Sequence, residues 1–545
     1  MVNEMIGYGT AGFRTNASKL PYIVYRMGVL ASMVSRAHKG QRVGLMITAS
    51  HNPECDNGVK LIAPNGEMLS VEWEQRATQL AHVNDSAYPD FLSSLTTSIP
   101  IDLTQSARVL CAYDTRASGL YLHDAASKAV QSQPNAVFQS CGQITTPQLH
   151  FIVKCSNYPD YGQPNEDGYF SKIVTSFLDL YNMSSLPAAN GDGPSPNTVS
   201  PTNPNVVHID CANGIGALAM QRLMKRYTQL PVTFELKNVG GALNEKCGAD
   251  YVKINRCPPA GLQMKPMERW VSFDGDADRV VYFYVDSAGD FTLLDGDRIA
   301  LLFVDFLQSH LSDGSLGQWT VGVVQTAYAN GGAMRYVTEK LKMPLTLVPT
   351  GVKHLHHAAK QFDVGVYFEA NGHGTVVFSD SFKAHVRKMA DSNNSDSAPD
   401  SNTRPHALAL SRFVDMINEV KCLGLDTVGD AISDMLAVES ILHAHGWSAA
   451  EWNGMYDELP SCQLKVPVKD RLVIKTTWDE TKCISPDGLQ EAVDAVVNQA
   501  GAPSRAFVRP SGTEDIVRVY AESATAESAK TLASNVKEVV EKFCN

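Results

Sequence analysis

The 545-residue sequence contains no apolar run long enough to cross a bilayer, so we expect no membrane-spanning segment and no membrane partner. Its first residues, MVNEMIGYGTAGFR, lack a basic segment followed by an apolar one, so no secretory signal is predicted. The eleven cysteines are scattered and include no C-x-x-C pair. This pattern argues against a structural zinc site or a disulfide framework, and it favours a cytoplasmic location.

Basic residues are also in short supply. Lysine and arginine number 46 against 58 aspartate and glutamate residues, which gives a formal net charge of -12. Nucleic-acid backbones require basic surface, so we expect no nucleic-acid partner. A phosphorylated small molecule is not excluded, because a few local arginine and lysine residues are enough to bind it. Hydrophobic residues make up 44% of the chain, and its length predicts several domains.

Two segments, 184–205 and 391–405, lack apolar periodicity and are rich in small and polar residues. We interpret the first as a linker and the second as an inserted surface loop. Elsewhere short β-branched strands alternate with polar loops and helical patterns, as in RVGLMI followed by TASHNP. This alternation predicts α/β domains with mixed sheets, in which ligands bind at strand ends. The last segment has the pattern strand, loop, strand, helix, which predicts a small α+β unit.

Three carboxylates follow a predicted strand at alternate positions. Asp274, Asp276 and Asp278 in DGDADR can converge on one hard cation such as Mg²⁺, which prefers oxygen ligands and keeps open positions for phosphate. An EF-hand does not fit, because its sixth and twelfth positions hold Arg279 and Val285. A solvated acidic turn is the simpler interpretation, and a phosphatase that uses the first aspartate as nucleophile is a rival one.

A second loop, TASHNP, places Ser50 among small residues after another strand. Small residues let backbone N–H groups approach an anion, and the hydroxyl can carry a phosphoryl group. Lys60, ten residues further on, can bring an ammonium group to the same point. Taken alone, the loop is equally consistent with an ordinary Asn-Pro turn.

Two further loops join predicted strands. RPSGTED offers Arg509, two hydroxyls and a glycine that exposes backbone N–H groups, a combination suited to phosphate. EANGHG offers Glu369, Asn371 and His373, which can hold sugar hydroxyls. Each loop alone is also explained by a hairpin turn with incidental polar residues. A dinucleotide-like G-x-G-x-x-A pattern from Gly214 has no accompanying site for hydride transfer, so a nicotinamide site is not expected.

Together, TASHNP, DGDADR, EANGHG and RPSGTED resemble, in this order, the loops of the phosphohexomutase superfamily. The resemblance covers nearly the whole chain apart from the two low-complexity segments. It is closest to the eukaryotic members that act on N-acetylglucosamine phosphates, because of the opening GYGTAGFR and of Asn371, where related hexose mutases usually have serine.

The resemblance implies four domains around a central cleft. The first three are α/β domains with mixed sheets, and the last is an α+β domain that resembles the TATA-binding-protein fold. The implied segments are a phosphoserine-loop domain (1–183), a linker (184–205), a metal-binding domain (206–293), a sugar-binding domain (294–446) and a phosphate-binding domain (455–545).

The resemblance also implies ligand sets. Ser50 becomes phosphoserine, and together with Asp274, Asp276 and Asp278 it binds one Mg²⁺ per active site. The implied substrate-binding residues are Arg279, Glu369, Asn371, His373, Arg509, Ser511, Gly512, Thr513 and Arg518.

The same resemblance places Arg14, His51 and Lys60 at the site of phosphoryl transfer, with Lys60 as the first and His373 as the second candidate for general base. The implied reaction interconverts N-acetylglucosamine 6-phosphate and 1-phosphate through a 1,6-bisphosphate, in UDP-N-acetylglucosamine biosynthesis. A glucose or mannose phosphate mutase is the rival within this class. An aspartate-dependent sugar phosphatase and an inactive sugar-phosphate-binding protein are the rivals outside it. No oligomeric state is predicted.

Overall fold

The structure is a computed structural model. It describes residues 6–9, 12–99, 101–183, 205–311, 314, 316–391, 403–417, 429–511 and 515–544. Most of the predicted linker and most of the predicted insert lie outside these residues, as do Gly512 and Thr513. Within the described ranges, none of the helices has the length and apolar character needed to span a membrane.

The first sheet has five strands in the order β1-β3-β2-β4-β5 and is mixed, because β2, β4 and β5 are parallel whereas β1–β3 and β3–β2 are antiparallel. Its strands are β1 (Phe13–Asn16), β2 (Arg42–Ile47), β3 (Asp56–Ile62), β4 (Ala107–Tyr113) and β5 (Ala136–Gln143). The helices of this part are α1 (Pro21–Ala37), α2 (Val71–His82), α3 (Tyr88–Ser98), α4 (Gly119–Gln131), α5 (Thr146–Asn157) and α6 (Glu166–Tyr181).

Both faces of this sheet are covered, as the uninterrupted apolar run of β2 requires. Leu45 and Ile47 pack into a cluster with α1 and α4, whereas Met46 between them points to the opposite face and packs with α5 and α6. The period of two along the strand therefore divides the core into two layers.

The second sheet is also mixed, in the order β10-β9-β8-β6-β7. Its strands are β6 (Val206–Asp210), β7 (Thr233–Lys237), β8 (Arg269–Phe273), β9 (Val280–Val285) and β10 (Phe291–Leu294). Its helices are α7 (Ile215–Arg226) and α8 (Ala249–Asn255).

The third sheet has the order β12-β11-β13-β14. Its strands are β11 (Val321–Thr326), β12 (Leu345–Val348), β13 (Val364–Phe368) and β14 (Gly374–Phe378). The helices around it are α9 (Gly296–Leu311), α10 (Gly331–Arg335), α11 (Val352–Ala359), α12 (Asp380–Asp391), α13 (Thr403–Met416), α14 (Ala431–His445) and α15 (Ala449–Asn453).

The C-terminal part is an α+β unit with an antiparallel sheet in the order β15-β19-β18 and a two-stranded ribbon. Its strands are β15 (Ser461–Pro467), β16 (Lys475–Thr476), β17 (Cys483–Ser485), β18 (Arg505–Pro510) and β19 (Ile516–Glu522), and its helices are α16 (Leu489–Ala500) and α17 (Ala526–Cys544). The predicted fold class is thereby confirmed, whereas the exact domain bounds stay predictions.

One structural position recurs in all three α/β sheets. A strand that is parallel to its neighbour turns directly into an antiparallel partner, β2 into β3, β8 into β9 and β13 into β14. The three turns are 48–55, 274–279 and 369–373, and they contain the serine, acidic and sugar loops singled out in the sequence. The fourth loop joins β18 to β19. The chemistry predicted from the sequence is thus concentrated in four hairpin turns.

Candidate active site

Ser50 lies in the turn after β2 and is held there in a left-handed backbone conformation, with φ of 49°. Non-glycine residues adopt this region rarely, and it occurs often at functional sites. The backbone N–H of Ser50 donates to Thr48 Oγ1 at 3.0 Å, and Thr48 Oγ1 donates to Asp114 Oδ2 at 2.8 Å. Although its side chain lies in a loop, Ser50 is only 4% exposed.

A buried arginine fixes the same turn from behind. Arg116 donates to the carbonyl oxygens of Ser50, Asn52, Pro53 and Asp56 at 3.0, 2.9, 2.5 and 2.8 Å. Its Nε also pairs with Asp114 at 3.1 Å. A planar fork with five donors suits several carbonyls at once, so Arg116 determines the shape of the serine loop.

The acidic loop meets the serine loop directly. Ser50 Oγ donates to Asp274 Oδ2 at 2.6 Å, although 224 residues separate them. Asn244 reinforces the contact by donating to the carbonyls of Ser50 and Asn52 at 2.8 and 3.0 Å. Gly275 is required at this point, because a Cβ there would lie 2.4 Å from the Ser50 carbonyl oxygen.

Asp274, Asp276 and Asp278 converge as predicted. Each offers a carboxylate oxygen, these oxygens lie within 4.8 Å of one another, and all three residues are buried. Asp274 Oδ1 accepts the backbone N–H groups of Asp278 and Arg279 at 3.0 and 3.2 Å, which closes the loop. Thr146 Oγ1 donates to Asp276 Oδ2 at 2.6 Å.

Burial and neighbouring charges shift the pKa values of Asp274 and Asp278 in opposite directions. Burial, and then the charges of Asp278 and Asp276, raise the pKa of Asp274 well above its usual range. Burial opposes ionisation of Asp278 too, but His373, Lys60 and Arg279 together hold the pKa of that carboxyl well below its usual range. Asp276 Oδ1 and Asp278 Oδ1 are buried without a hydrogen-bond partner.

Cationic side chains surround the acidic cluster. Lys60 Nζ lies 3.6 Å from Asp276 and 3.7 Å from Asp278, and Arg279 Nε lies 3.8 Å from both Asp274 and Asp278. These contacts place two positive charges around the carboxylate cluster to which Ser50 Oγ is hydrogen-bonded.

The two remaining residues predicted at this point are Arg14 and His51. Arg14 Nη1 lies 3.5 Å from Asn52 Oδ1, and burial together with Arg279 lowers the pKa of its guanidinium. His51 Nδ1 lies 3.4 Å from Ser50 Oγ. Burial, followed by the charges of Arg279 and Arg14, lowers the pKa of His51 to about 2, so this imidazole is neutral at neutral pH.

The sugar loop is held against the acidic loop. The N–H of Val280 donates to the Gly372 carbonyl at 3.1 Å, and His373 Nδ1 lies 3.4 Å from Asp278 Oδ1. Asn371 serves its own loop, since its Oδ1 accepts the N–H of His373 at 3.0 Å and its Nδ2 donates to Glu369 at 3.3 Å.

These loops enclose a cavity of about 290 Å³, which we call the serine cavity. It is close to the lower size limit of small-molecule sites, about 300 Å³. Seven of the site residues predicted from the sequence line it, namely Arg14, Ser50, Lys60, Asp278, Arg279, Glu369 and His373. The other lining residues are Tyr8, Gly9, Gly12, Leu61, Met68, Leu69, Glu74, His150, Gly351 and Val352.

None of the described residues of the C-terminal loop lines this cavity. Arg509 Nε pairs with Glu480 Oε1 at 3.4 Å, and Glu480 also accepts from the N–H and Oγ1 of Thr350 at 3.0 and 2.6 Å. Ser511 is buried and Arg518 lies in β19, and neither lines the serine cavity. The phosphate-binding role of this loop therefore stays a prediction.

Sequence reasoning missed several residues of the site. Arg116, Thr146, His150 and Asn244 belong to no motif, and they reach the loops from β-to-α turns and from a helix. Tyr8 lies within the opening GYGTAGFR, so that motif carried a signal for it.

Comparison with protein families gives matches along most of the chain. Models of phosphoacetylglucosamine mutase match residues 199–281 (domain II) and 295–447 (domain III). Models of phosphoglucomutase/phosphomannomutase match residues 24–88 (α/β/α domain I) and 467–539 (C-terminal domain).

Individual proteins match over nearly their whole length. The phosphoacetylglucosamine mutase of Sus scrofa is 45% identical over 536 residues, which are 98% of this chain and 93% of the pig protein. A crystal structure of an N-acetylglucosamine-phosphate mutase in its substrate complex superimposes with a TM-score of 0.90 at 40% identity, covering 99% of this chain and 97% of that one.

Two structures of the Aspergillus fumigatus N-acetylphosphoglucosamine mutase are similar as well. One contains GlcNAc-6P and magnesium, with a TM-score of 0.89, 39% identity and coverage of 100% and 97% of the two chains. The other is a serine-to-alanine variant in complex with glucose 1,6-bisphosphate, with a TM-score of 0.88, 39% identity and the same coverage.

Proposed function

This chain belongs to the phosphoacetylglucosamine mutases of the phosphohexomutase superfamily, and we infer that it interconverts N-acetylglucosamine 6-phosphate and N-acetylglucosamine 1-phosphate. One observation carries the mechanism. The hydroxyl of Ser50 is hydrogen-bonded at 2.6 Å to a buried cluster of three carboxylates, at the wall of a cavity lined by Arg14, Lys60 and Arg279. A serine placed between a metal site and several cations suits the transfer of a phosphoryl group.

The acidic cluster fits Mg²⁺. The three residues offer carboxylate oxygens that are close enough for one ion, and Asp276 Oδ1 and Asp278 Oδ1 are buried without a hydrogen-bond partner. We propose that Asp274, Asp276 and Asp278 hold one Mg²⁺ together with the phosphorylated Ser50. When bound, the ion neutralises charge that develops on the phosphoryl oxygens.

The surrounding cations have a related role. Phosphoryl transfer depends mainly on positioning and on charge stabilisation rather than on covalent chemistry of the protein. We assign stabilisation of the phosphoryl oxygens to Lys60, Arg14 and Arg279. His51, neutral and beside Ser50 Oγ, is suited to hydrogen bonding with the serine oxygen.

A base must also accept the proton of the attacking sugar hydroxyl. Lys60 Nζ lies 3.6 Å from Asp276 and 3.7 Å from Asp278. His373 Nδ1 lies 3.4 Å from Asp278 Oδ1. We propose Lys60 as the first and His373 as the second candidate for this base, since both side chains line the serine cavity.

Two loops are assigned to the substrate. Glu369 and His373 line the serine cavity and are proposed to bind sugar hydroxyls, with Asn371 shaping their loop. The C-terminal loop is proposed to bind the phosphate that is not transferred. Its residues are Arg509, Ser511, Gly512, Thr513 and Arg518.

The cycle needs two transfers at one site. The phosphoryl group leaves Ser50 for O6 or O1 of the sugar, whose hydroxyl proton passes to the base, and a 1,6-bisphosphate results. The bisphosphate turns around, and its other phosphoryl group returns to Ser50 while the sugar oxygen regains a proton. We place this reaction in UDP-N-acetylglucosamine biosynthesis.

The remaining assignments follow from the substrate. The partner of this chain is a small phosphosugar, and the acidic composition supports the proposal that nucleic acid is not one. A cytoplasmic location is proposed because the ten cysteines in the described part of the chain are all free thiols, a state typical of a reducing compartment.

A conversion assay tests the function. The purified enzyme with Mg²⁺, N-acetylglucosamine 6-phosphate and a trace of bisphosphate should form the 1-phosphate, followed by ³¹P NMR, without accumulating inorganic phosphate. Ser50→Ala should lose nearly all of this activity, whereas Ser18→Ala, at an exposed position of the same domain, should keep it. Peptide mapping should locate a phosphoryl group on Ser50. Release of inorganic phosphate by the Ser50→Ala variant would favour the phosphatase instead.

Substrate preference separates this function from the hexose mutases. A pocket that merely leaves room for a missing group discriminates by about 1–3 kcal/mol, or about 10- to 200-fold in kcat/KM. We expect glucose 6-phosphate to react with clearly lower kcat/KM than its N-acetylated analogue. Equal or higher efficiency on glucose or mannose 6-phosphate would defeat the substrate assignment and leave the mutase mechanism intact.

A further inference from the structure

His150 lies on the helix that supports the acidic cluster. The helix α5 begins with a capping box between Thr145 and Gln148, which fixes its first turn. Thr146 and His150 are four residues apart and so share one face of the helix. Because Thr146 Oγ1 donates to Asp276 at 2.6 Å, this face is turned toward the site, and His150 lines the serine cavity one turn further along.

The hydrogen bonding of His150 determines its tautomer. Nδ1 lies 2.7 Å from the carbonyl oxygen of Gly66, which can only accept, so Nδ1 carries the proton. Nε2 is then a lone-pair acceptor. His150 is 1% exposed, and Nε2 is buried without a hydrogen-bond partner among the described residues. A buried acceptor without a donor is rare in proteins, and a ligand donor is one explanation for it.

The charge state of the His150 imidazole supports a role as hydrogen-bond acceptor and argues against a role as general base. Burial and the nearby charge of Lys60 lower the pKa of His150 to about 3, against smaller opposing effects of Gly66 and Asp278. The imidazole is neutral at neutral pH, so it presents its lone pair permanently. A group this weakly basic does not retain a proton taken from a sugar hydroxyl.

We propose that His150 is a substrate-binding residue whose Nε2 accepts a hydrogen bond from a ring hydroxyl of the hexose phosphate. The proposal rests on the function proposed above, because it assigns a part of the same cavity. It adds a contact from outside the four loops, contributed by the helix that also supports Asp276. The hydroxyl is bound in the ground state and in the transition state alike, so its loss should affect KM rather than kcat.

Two variants separate the two nitrogens. In His150→Asn the shorter amide can still donate to Gly66, but it offers no acceptor at the position of Nε2. In His150→Gln the longer amide can place its oxygen there but loses the donor to Gly66. We expect His150→Asn to raise KM for N-acetylglucosamine 6-phosphate by about 3- to 10-fold, with kcat within about twofold of wild type. His150→Gln should keep KM closer to wild type even where its thermal midpoint falls.

Deoxy analogues identify the donor. Among analogues that each lack one ring hydroxyl, the analogue without the hydroxyl bound by His150 should have a raised KM with the wild-type enzyme. For this analogue His150→Asn should cause no further increase in KM, whereas for the other analogues it should. The proposal is overturned by a wild-type KM in His150→Asn, by equal increases in both variants, or by increases that add on every analogue. A fall in kcat at unchanged KM would also overturn it, since His150 would then act through Lys60.

Calorimetric measurement of substrate binding tests the role of His150 separately from the proposed mutase activity. In the Ser50→Ala variant, N-acetylglucosamine 6-phosphate should bind without turnover. Adding His150→Asn to this variant should raise Kd by about 3- to 10-fold, as it raises KM. A wild-type enzyme that binds the phosphosugar but does not isomerise it would refute the mutase function alone. A Kd that does not change on adding His150→Asn would refute the role of His150.

Discussion

At the scale of single residues, the site combines three buried carboxylates whose burial is unfavourable unless a cation binds to them. Asp276 and Asp278 each have a buried oxygen without a hydrogen-bond partner, and the pKa of Asp274 is raised by burial and by its two acidic neighbours. Such perturbed groups cluster at functional sites. Removal of one charge from this cluster should therefore lower the affinity for Mg²⁺ more than it lowers the stability of the fold.

Asp276→Asn tests the metal site. The change is isosteric, but it removes one anionic oxygen ligand and leaves Lys60 with one carboxylate partner instead of two. We expect weaker Mg²⁺ binding and a fall in kcat of about 100-fold or more. The measurement is activity as a function of Mg²⁺ concentration. Asp290→Asn, the same change at an exposed position, is the control. An unchanged Mg²⁺ dependence in Asp276→Asn would mean that the cluster is only an acidic turn.

At the scale of secondary-structure elements, the serine loop depends on a support that lies outside it. Arg116 follows β4, the strand parallel to β2, so the carboxyl ends of these two strands meet at one edge of the sheet. From there its guanidinium reaches four carbonyls of the loop. The left-handed conformation of Ser50 is maintained by these contacts.

Arg116→Lys should disturb the loop while keeping the charge. Lysine lacks the planar fork, so most of the bonds to the loop carbonyls are lost. We expect kcat to fall about 10- to 100-fold, as displacement of a reacting group by about 1 Å does, together with a lower thermal midpoint. Arg42→Lys is the matched control, since Arg42 is half-buried in the same domain and donates to Ser156 at 3.2 Å. Wild-type kcat in Arg116→Lys would show that the loop keeps its shape without the fork.

At the scale of the whole molecule, the first three sheets behave as one packed body. A single apolar cluster contains residues of α5, α6, β6, β9, α9 and α14, and Tyr169 in α6 donates to Asp430, just before α14, at 2.8 Å. The C-terminal unit has a core of its own. It meets the third sheet through Phe507 and Tyr520 beside Ala327, and through Arg505 and Glu522.

Stability of the packed body should depend on pH through buried histidines. His310 in α9 is 2% exposed, its Nδ1 lies 2.9 Å from the Phe306 carbonyl, and burial followed by His406 lowers its pKa to about 3. The unfolded chain, with an ordinary pKa of about 6.5, then binds the proton first. The stabilising effect of the neutral imidazole is complete above about pH 6.5 and is lost as the pH falls toward 3.

Two variants, His310→Gln and His310→Phe, isolate this effect. Each has its own offset in stability at pH 8, but neither titrates at position 310. As the pH falls from 6.5 to 5, wild type should lose stability relative to both variants, at a rate that approaches about 1.4 kcal/mol per pH unit. Thermal midpoints measured across this range give the comparison. Offsets that stay constant with pH would contradict a depressed pKa for His310.

Arg509→Ala tests whether the C-terminal unit contributes to the same reaction. Its guanidinium is paired with Glu480, which in turn accepts from Thr350 of the third domain, so a substrate phosphate must compete with a carboxylate for it. A phosphate contact made in both the ground and transition states predicts a KM that rises more than kcat falls. Lys537→Ala on α17 removes a cation of the same unit and serves as control. A large loss of kcat at unchanged KM would move Arg509 into the chemistry.

The sequence by itself determined the four loops and the elements that flank them. Strands such as RVGLMI and VVHID were recognisable because apolar runs and turn residues act over a few positions, and the structure places β2 and β6 at the same residues. The convergence of Asp274, Asp276 and Asp278 was predictable for the same reason, since alternate residues after one strand stay close together.

Only the tertiary structure decided which distant residues complete the site. Ser50 meets Asp274 across 224 positions, Thr146 meets Asp276 across 130, and His150 reaches the cavity from a helix without a motif. Such contacts depend on how sheets and helices pack, and no local pattern encodes them. Local chemistry therefore lies in the sequence, whereas its mutual arrangement, and with it the charge state of each group, arises from the fold.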